Sequence, residues 1–244
     1  MYNRFYIFAW RKSMERKRVL RYGVFFAGLL CNAFGVAFIT KADLGTTPIS
    51  SIPYTLSMIF PKFTLGDFTF FVSLVLIFLQ ACILKRKAKI FDILLQIPIS
   101  FIFGYIIDLS MALLDGFHPE RYPGRMASML VGCIIVAFGA FFEVTADVTM
   151  LPADGLSTAI AKVTGAGFGN VKLITDSSQA IIALLAGLLV LHRFAGVREG
   201  TIIGALLIGN IVKVIGRLWQ SVRSSAVRAD QARAMIPGKS FGKN

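Results

Sequence analysis

The sequence predicts an all-α polytopic membrane protein of two repeated halves, each with three long transmembrane helices and one short half or re-entrant helix. Three observations carry that prediction. Of the 244 residues, 56% are hydrophobic, and they lie in long blocks rather than at amphipathic spacing. Six of these blocks reach or approach the roughly 20 apolar residues needed to cross a ~30 Å hydrocarbon core. A signature also returns: Phe34-Gly35, Ala42-Asp43 and Pro48 recur as Phe138-Gly139, Ala146-Asp147 and Pro152, each 104 residues later. Solenoid repeats recur every 20–50 residues or so, whereas this period suits the duplicated halves of a membrane transporter.

The chain divides into a basic N-terminus (1–21), a first membrane repeat (22–114), a linking loop (115–124), a second repeat (125–218) and a basic tail (219–244) that reads as disordered. The first span covers about Tyr22–Thr40, with Gly23, Gly28 and Gly35 available for close helix contact and Asn32 as its strongly polar interior residue. After Ala42-Asp43, Leu44-Gly45-Thr46-Thr47 reads as a turn in which Thr47 caps a helix opened by Pro48. That segment is closed by Pro61, and its thirteen residues from Pro48 to Phe60 reach about 20 Å, too short to cross. A span from Leu65 to Leu84 follows, stopped by the basic cluster Lys85-Arg86-Lys87-Ala88-Lys89. The next, Phe91–Leu114, contains Asp92, Gln96, Pro98, Gly104 and Asp108.

The second half repeats the plan. A span from about Met126 to Val144 carries Glu143 near its end, and the segment Ala153–Val163 after Pro152 is again too short to cross. The glycine-rich stretch Gly165–Asn170 leads into a span over about Val171–Leu191, with Asp176 and Gln179 inside it. The last span, Gly200–Leu218, aligns with the fourth element of the first half, setting Lys213 opposite Asp108.

A formal net charge of +13 raises the possibility of nucleic acid, but the basic residues flank apolar spans. Positive-inside topology explains that distribution, so no nucleic-acid partner is expected and the basic ends are expected to lie against anionic lipid. With the two short segments not crossing, each half has three spans, the second half is inverted, and the N-terminus, the Lys85 cluster and the C-terminus face the cytoplasm of a bacterial inner membrane. The alternative is eight crossing helices, which would put the Lys85 cluster outside. Cys31, Cys82 and Cys133 sit singly in apolar runs and point to neither a disulfide framework nor a metal site.

The motifs Asp43-Leu44-Gly45-Thr46-Thr47-Pro48-Ile49-Ser50 and Gly169-Asn170-Val171-Lys172 through Asp176 resemble those of the YczE/YyaS/YitT family of bacterial integral membrane proteins. The resemblance extends over roughly Tyr22 to Gly216 and departs in the first half, where Ser73 stands near the place of Asp176. It implies an inner-membrane location and gives no substrate.

Acids within spans are the default functional candidates, because a carboxylate in hydrocarbon is costly unless paired, hydrated or protonated. Asp176 is read as a proton- or cation-coupling group, with an interfacial acid capped by Thr175, Ser177 and water as the plainer alternative. Asp43 and Asp147 either bind a cation or substrate at the broken helices or cap the segments that follow, and Asp154 adds to the second mouth. Thr46, Thr47, Ser50 and Ser51, with Ser157 and Thr158 in the second half, either line a polar cavity at the half-helix tips or serve as packing contacts. Gln179 belongs with these candidates, and Asn32, Gln80, Gln96, Glu143 and Asn210 are read as interhelical hydrogen-bonding residues. Asp108 and Lys213 are a candidate pair between halves.

The sequence has no phosphate-binding loop, no Cys/His ligand spacing and no Gly-x-Ser-x-Gly elbow, and calls for no cofactor, no metal and no enzymatic activity. The expected function is a small-solute transporter, proton- or cation-coupled, with its site at the broken-helix tips. The alternative is a non-transporting scaffold or regulator of a biosynthetic or signalling partner. A homodimer is compatible with either.

Overall fold

The computed structural model describes residues 18–85, 90–193 and 196–234. The basic residues before Arg18, the cluster at 86–89 and the tail beyond 234 lie outside the described residues. Eight helices follow in order: α1 (Arg18–Lys41), α2 (Ser51–Ile59), α3 (Leu65–Leu84), α4 (Ile90–Leu113), α5 (Tyr122–Ala146), α6 (Pro152–Thr164), α7 (Phe168–Leu191) and α8 (Glu199–Ala234). Six are long and apolar enough to span a bilayer, while α2 and α6, with 9 and 13 residues, reach only about 14 and 20 Å at 1.5 Å per residue.

The direction of each long helix follows from which ends meet. Arg21 near the start of α1 donates to the carbonyl of Ala146 at the end of α5, so these two helices are antiparallel. At the opposite face, Lys41 ends α1 beside Asp115, just past the end of α4, so α1 and α4 run together. The Lys41 ammonium also holds the exposed Asp115 carboxyl below its ordinary value of 3.8. Thr64 and Gly66, at the start of α3, meet Asp108 near the end of α4, so α3 returns toward the first face. The start of α8 lies against Leu44 and Met129, and Trp219 further along reaches Phe141, so α8 follows α5. Arg193, just beyond α7, shares a cavity with Asp43 and Arg198, which places the end of α7 at the face where α8 begins.

The segment from α1 to α3 therefore leaves and rejoins one face, and the segment from α5 to α7 does the same at the other. Eight crossings would require each to change face. The two short segments meet inside: Ile49, in the turn before α2, packs against Ala153 and Leu156 at the start of α6 and Leu76 of α3. Packing partners correspond across the halves. Helix α1 packs on α4 as α5 does on α8, α2 on α3 as α6 on α7, and α3 on α6 as α7 on α2. In the first half α3 also packs on α4, and there Gly66 meets Gly104.

The central crossing, α1 on α5, is built on glycine. A Cβ at Gly28 would stand 3.0 Å from the Gly139 carbonyl, and one at Gly35 only 2.6 Å from a Val136 methyl, so the two backbones approach as side-chain-bearing helices could not. Phe25, Leu29 and Ala33 of α1 join Phe103, Ile106 and Ile107 of α4 and Ala146 of α5 in one buried cluster. Half of the α1 span is buried, against 11% of the α8 span.

Three expectations need correction. Helix α2 opens at Ser51, not Pro48, and Ser50 at its N-cap makes no side-chain capping bond. Pro53 explains the shift: with the start at Ser51 it falls in the first turn, where backbone N–H groups have no intrahelical partner, but a start at Pro48 would cost the bond from residue 53 to residue 49. Thr47 caps the turn ahead of α2 instead of the helix: its Oγ1 accepts from the Ser50 N–H at 3.4 Å and donates to Ser50 Oγ at 3.0 Å, and Ser51 Oγ donates to the Pro48 carbonyl at 2.6 Å. Pro152, by contrast, does open α6. The tail expected to be disordered is helical as far as Ala234, since its Ala, Arg and Gln residues are good helix formers. Asp108 does not pair with Lys213; it accepts from Thr64 Oγ1 at 2.6 Å and Gly66 N–H at 2.8 Å, and so caps α3.

Candidate functional site

The polar side chains of the second half gather around α6. Asp154 stands in the first turn of that short helix, and Lys172 and Asp176 lie one turn apart on α7. Lys172 Nζ lies 2.5 Å from Asp154 Oδ1 and 3.2 Å from Asp176 Oδ2, so one ammonium bridges a carboxylate on the half-helix and one on the spanning helix. Two acids against one base leave the ionised cluster with a net charge of −1. One turn further, the buried Ser157 and Thr175 hydroxyls meet at 2.7 Å, a second link between α6 and α7. Gln179, one turn further along α7, is buried with its Nε2 3.4 Å from the Thr175 carbonyl and, among the described residues, no partner for its Oε1.

The other side of α6 faces two more amides. A Cβ at Gly155 would fall 2.5 Å from Gln80 Oε1 and 3.1 Å from Gln96 Nε2, so glycine is what lets α6 sit on α3 and α4 here. The Oε1 atoms of Gln80 and Gln96, like that of Gln179, are buried with no hydrogen-bond donor among the described residues. Three unused acceptors and two carboxylates thus flank one half-helix, an arrangement suited to cations and hydrogen-bond donors.

In the first half the candidate hydroxyls satisfy each other. Thr46 Oγ1 and Thr40 Oγ1 meet at 3.0 Å, Thr47 pairs with Ser50, and Ser51 with Pro48, all buried. Thr158 donates to Met150 Sδ at 3.3 Å.

Asp43 and Asp147 adopt left-handed backbone conformations, with φ of 55° and 50°. They end the helices before them, Asp147 as the C-cap of α5. Each is latched by arginine from the other half. Arg125 Nη1 lies 2.9 Å from Asp43 Oδ2, and Arg21 Nη2 3.7 Å from Asp147 Oδ2, while Arg21 also donates to the Asp147 carbonyl. Asp43 borders a cavity of about 330 Å³ with Gly45, Tyr54, Met58, Arg193, Gly196 and Arg198. Arg198 donates to the Asp43 carbonyl at 2.7 Å, and Gly45, with φ of 101°, brings this corner against Thr201 and Arg198.

Sequence reasoning missed Lys172, Arg21, Arg125, Arg193 and Arg198 as site residues. Lys172 was visible as the base four positions before Asp176, and Arg21 and Arg125 as another pair separated by 104 residues. Glu143 and Asn32 do form the expected interhelical hydrogen bond, Asn32 Nδ2 donating to Glu143 Oε1 at 3.0 Å.

Residues 19–217 match the model of a family described as of unknown function, DUF6198. The chain is 25% identical over 201 residues to the uncharacterized membrane protein YczE of Bacillus subtilis (strain 168), an alignment covering 82% of this chain and 87% of that protein. No solved structure matches it.

Proposed function

As this chain belongs to the DUF6198 family of unknown function, its activity has to be argued from its own residues, and we propose that it is a small-solute carrier of two inverted halves with its site at α6 and α7. The observation that carries this reading is the Lys172 bridge between Asp154 on a half-helix and Asp176 on a spanning helix. Carriers built from inverted repeats place their sites at broken helices near mid-membrane, and the starts of α2 and α6 share a cluster in the interior. The reciprocal latches support the inversion: Arg21 to Asp147 and Arg125 to Asp43 exchange when each position is moved by 104 residues. The surplus negative charge and the free amide oxygens favour a cationic or hydrogen-bond-donating solute. Asp176 would couple its movement to a proton or cation by giving up Lys172. The basic residues before and at the start of α1 support a cytoplasmic, anionic-lipid-facing position for that end in a bacterial inner membrane.

The test is uptake of a panel of small labelled cations and zwitterions into proteoliposomes under an imposed pH gradient. At least one solute is expected to enter only with the protein, and Asp176→Asn to abolish that entry at unchanged protein content. Unaltered uptake by Asp176→Asn removes the coupling role. A second reading, a docking protein for a cytoplasmic partner, is favoured by the length of α8, whose 36 residues would reach about 54 Å while its candidate span ends at Trp219. Truncation after Trp219 should leave uptake intact if the carrier reading holds.

A further inference from the structure

Glu143 takes no part in the cluster around Lys172. It lies on α5 with 9% of its surface exposed, turned onto α1 where Gly28 and Gly139 bring the helices together. A Cβ at Gly28 would touch the Glu143 side chain and backbone at 3.0 Å, so Glu143, one turn before the end of α5, packs against α1 ten residues into that helix. Its partner is a neutral amide, Asn32, donating to Oε1. No described lysine or arginine forms an ion pair with it. Of the charged groups on the elements around it, Arg21 of α1 is held by Ala146 and Asp147, Asp154 of α6 carries like charge, and Lys213 and Arg217 of α8 are exposed and make no ion pair with Glu143.

The other side of the same crossing shows what packing alone requires. Moving Glu143 and Asn32 by 104 residues gives Ile39 and Val136, which meet Gly132 and Gly35 as Glu143 and Asn32 meet Gly28 and Gly139. Two apolar side chains perform that structural task, so the carboxyl is not a packing requirement. A carboxylate buried in hydrocarbon with one neutral donor is far costlier than the corresponding acid.

We propose that Glu143 is a proton-binding site inside the bundle, its proton held on Oε2 while Oε1 accepts from Asn32. The site is separate from the α6–α7 cluster, and the inference stands whether or not the protein is a carrier. The experiment is an infrared pH titration of the full-length protein in lipid nanodiscs, unlabelled and grown on ¹³C-carboxyl glutamate. The chain has four glutamates; Glu120 lies in the loop before α5, Glu199 is the first residue of α8 and Glu15 precedes α1 in the sequence, so a labelled buried acid is expected to report Glu143. The expected result is a carboxylic-acid carbonyl band at neutral pH that shifts on glutamate labelling and is absent in Glu143→Gln, which keeps the acceptor for Asn32. Asn32→Ala, which removes the donor that favours the ionised form, should make the band persist to higher pH. A glutamate acid band that appears only in the range of exposed carboxyls overturns the proposal, as does its loss at neutral pH in Asn32→Ala.

Discussion

Lys172 holds the polar cluster together by standing between two acids that would otherwise face each other, so its loss should matter more than that of either partner. The three side chains are 19–34% exposed, between the buried and fully exposed limits for ion pairs. Lys172→Met should therefore destabilise the purified protein by about 1–3 kcal/mol, with less loss in Lys172→Met combined with Asp154→Asn, as thermal midpoints in detergent would show. An equal loss in the single and double variants would mean that the bridge contributes nothing. Asp176 was legible in the sequence as an acid in an apolar run, and its neighbour four residues earlier was not valued because each charge was weighed alone. The latches at Asp43 and Asp147 were less visible still, since their arginines lie 82 and 126 residues away in the chain.

At the level of elements, the spans were legible because length and hydropathy fix them, whereas starts and stops depend on local competition. Pro152 opens α6 because nothing downstream conflicts with it; Pro48 fails to open α2 because Pro53 and the hydroxyls around it favour a later start. The extension of α8 to Ala234 was hidden by its charge, which suggested disorder in a stretch of strong helix formers. The α1–α5 crossing is the element pair on which the rest is assembled, and its tolerance for bulk is small. A Cβ at Gly139 would come within 2.6 Å of the Asn32 amide nitrogen and 2.8 Å of the Gly28 carbonyl. Gly139→Leu should cost about 1–3 kcal/mol or more and lower the thermal midpoint, while Gly23→Leu, with nothing within 4 Å, should leave it unchanged. Equal midpoints for the two variants would show that the close crossing is not what limits stability.

For the molecule as a whole, two short segments each leave and rejoin one face, so the eight described helices give six candidate crossings. In the proposed carrier, three crossings in each half would make the halves inverted, and the exchange of Arg21 and Arg125 between Asp147 and Asp43 is what that arrangement would give. The measurement that tests this most directly is cysteine accessibility in intact cells, with Cys31, Cys82 and Cys133 replaced and single cysteines introduced at Lys62, Lys87 and Gly167. An impermeant reagent added outside should label Lys62→Cys alone, with Lys87→Cys and Gly167→Cys reached only after the membrane is opened. Labelling of Lys87→Cys from outside would mean that the segment between α1 and α3 crosses, and the inverted arrangement, with the site built on it, would be contradicted.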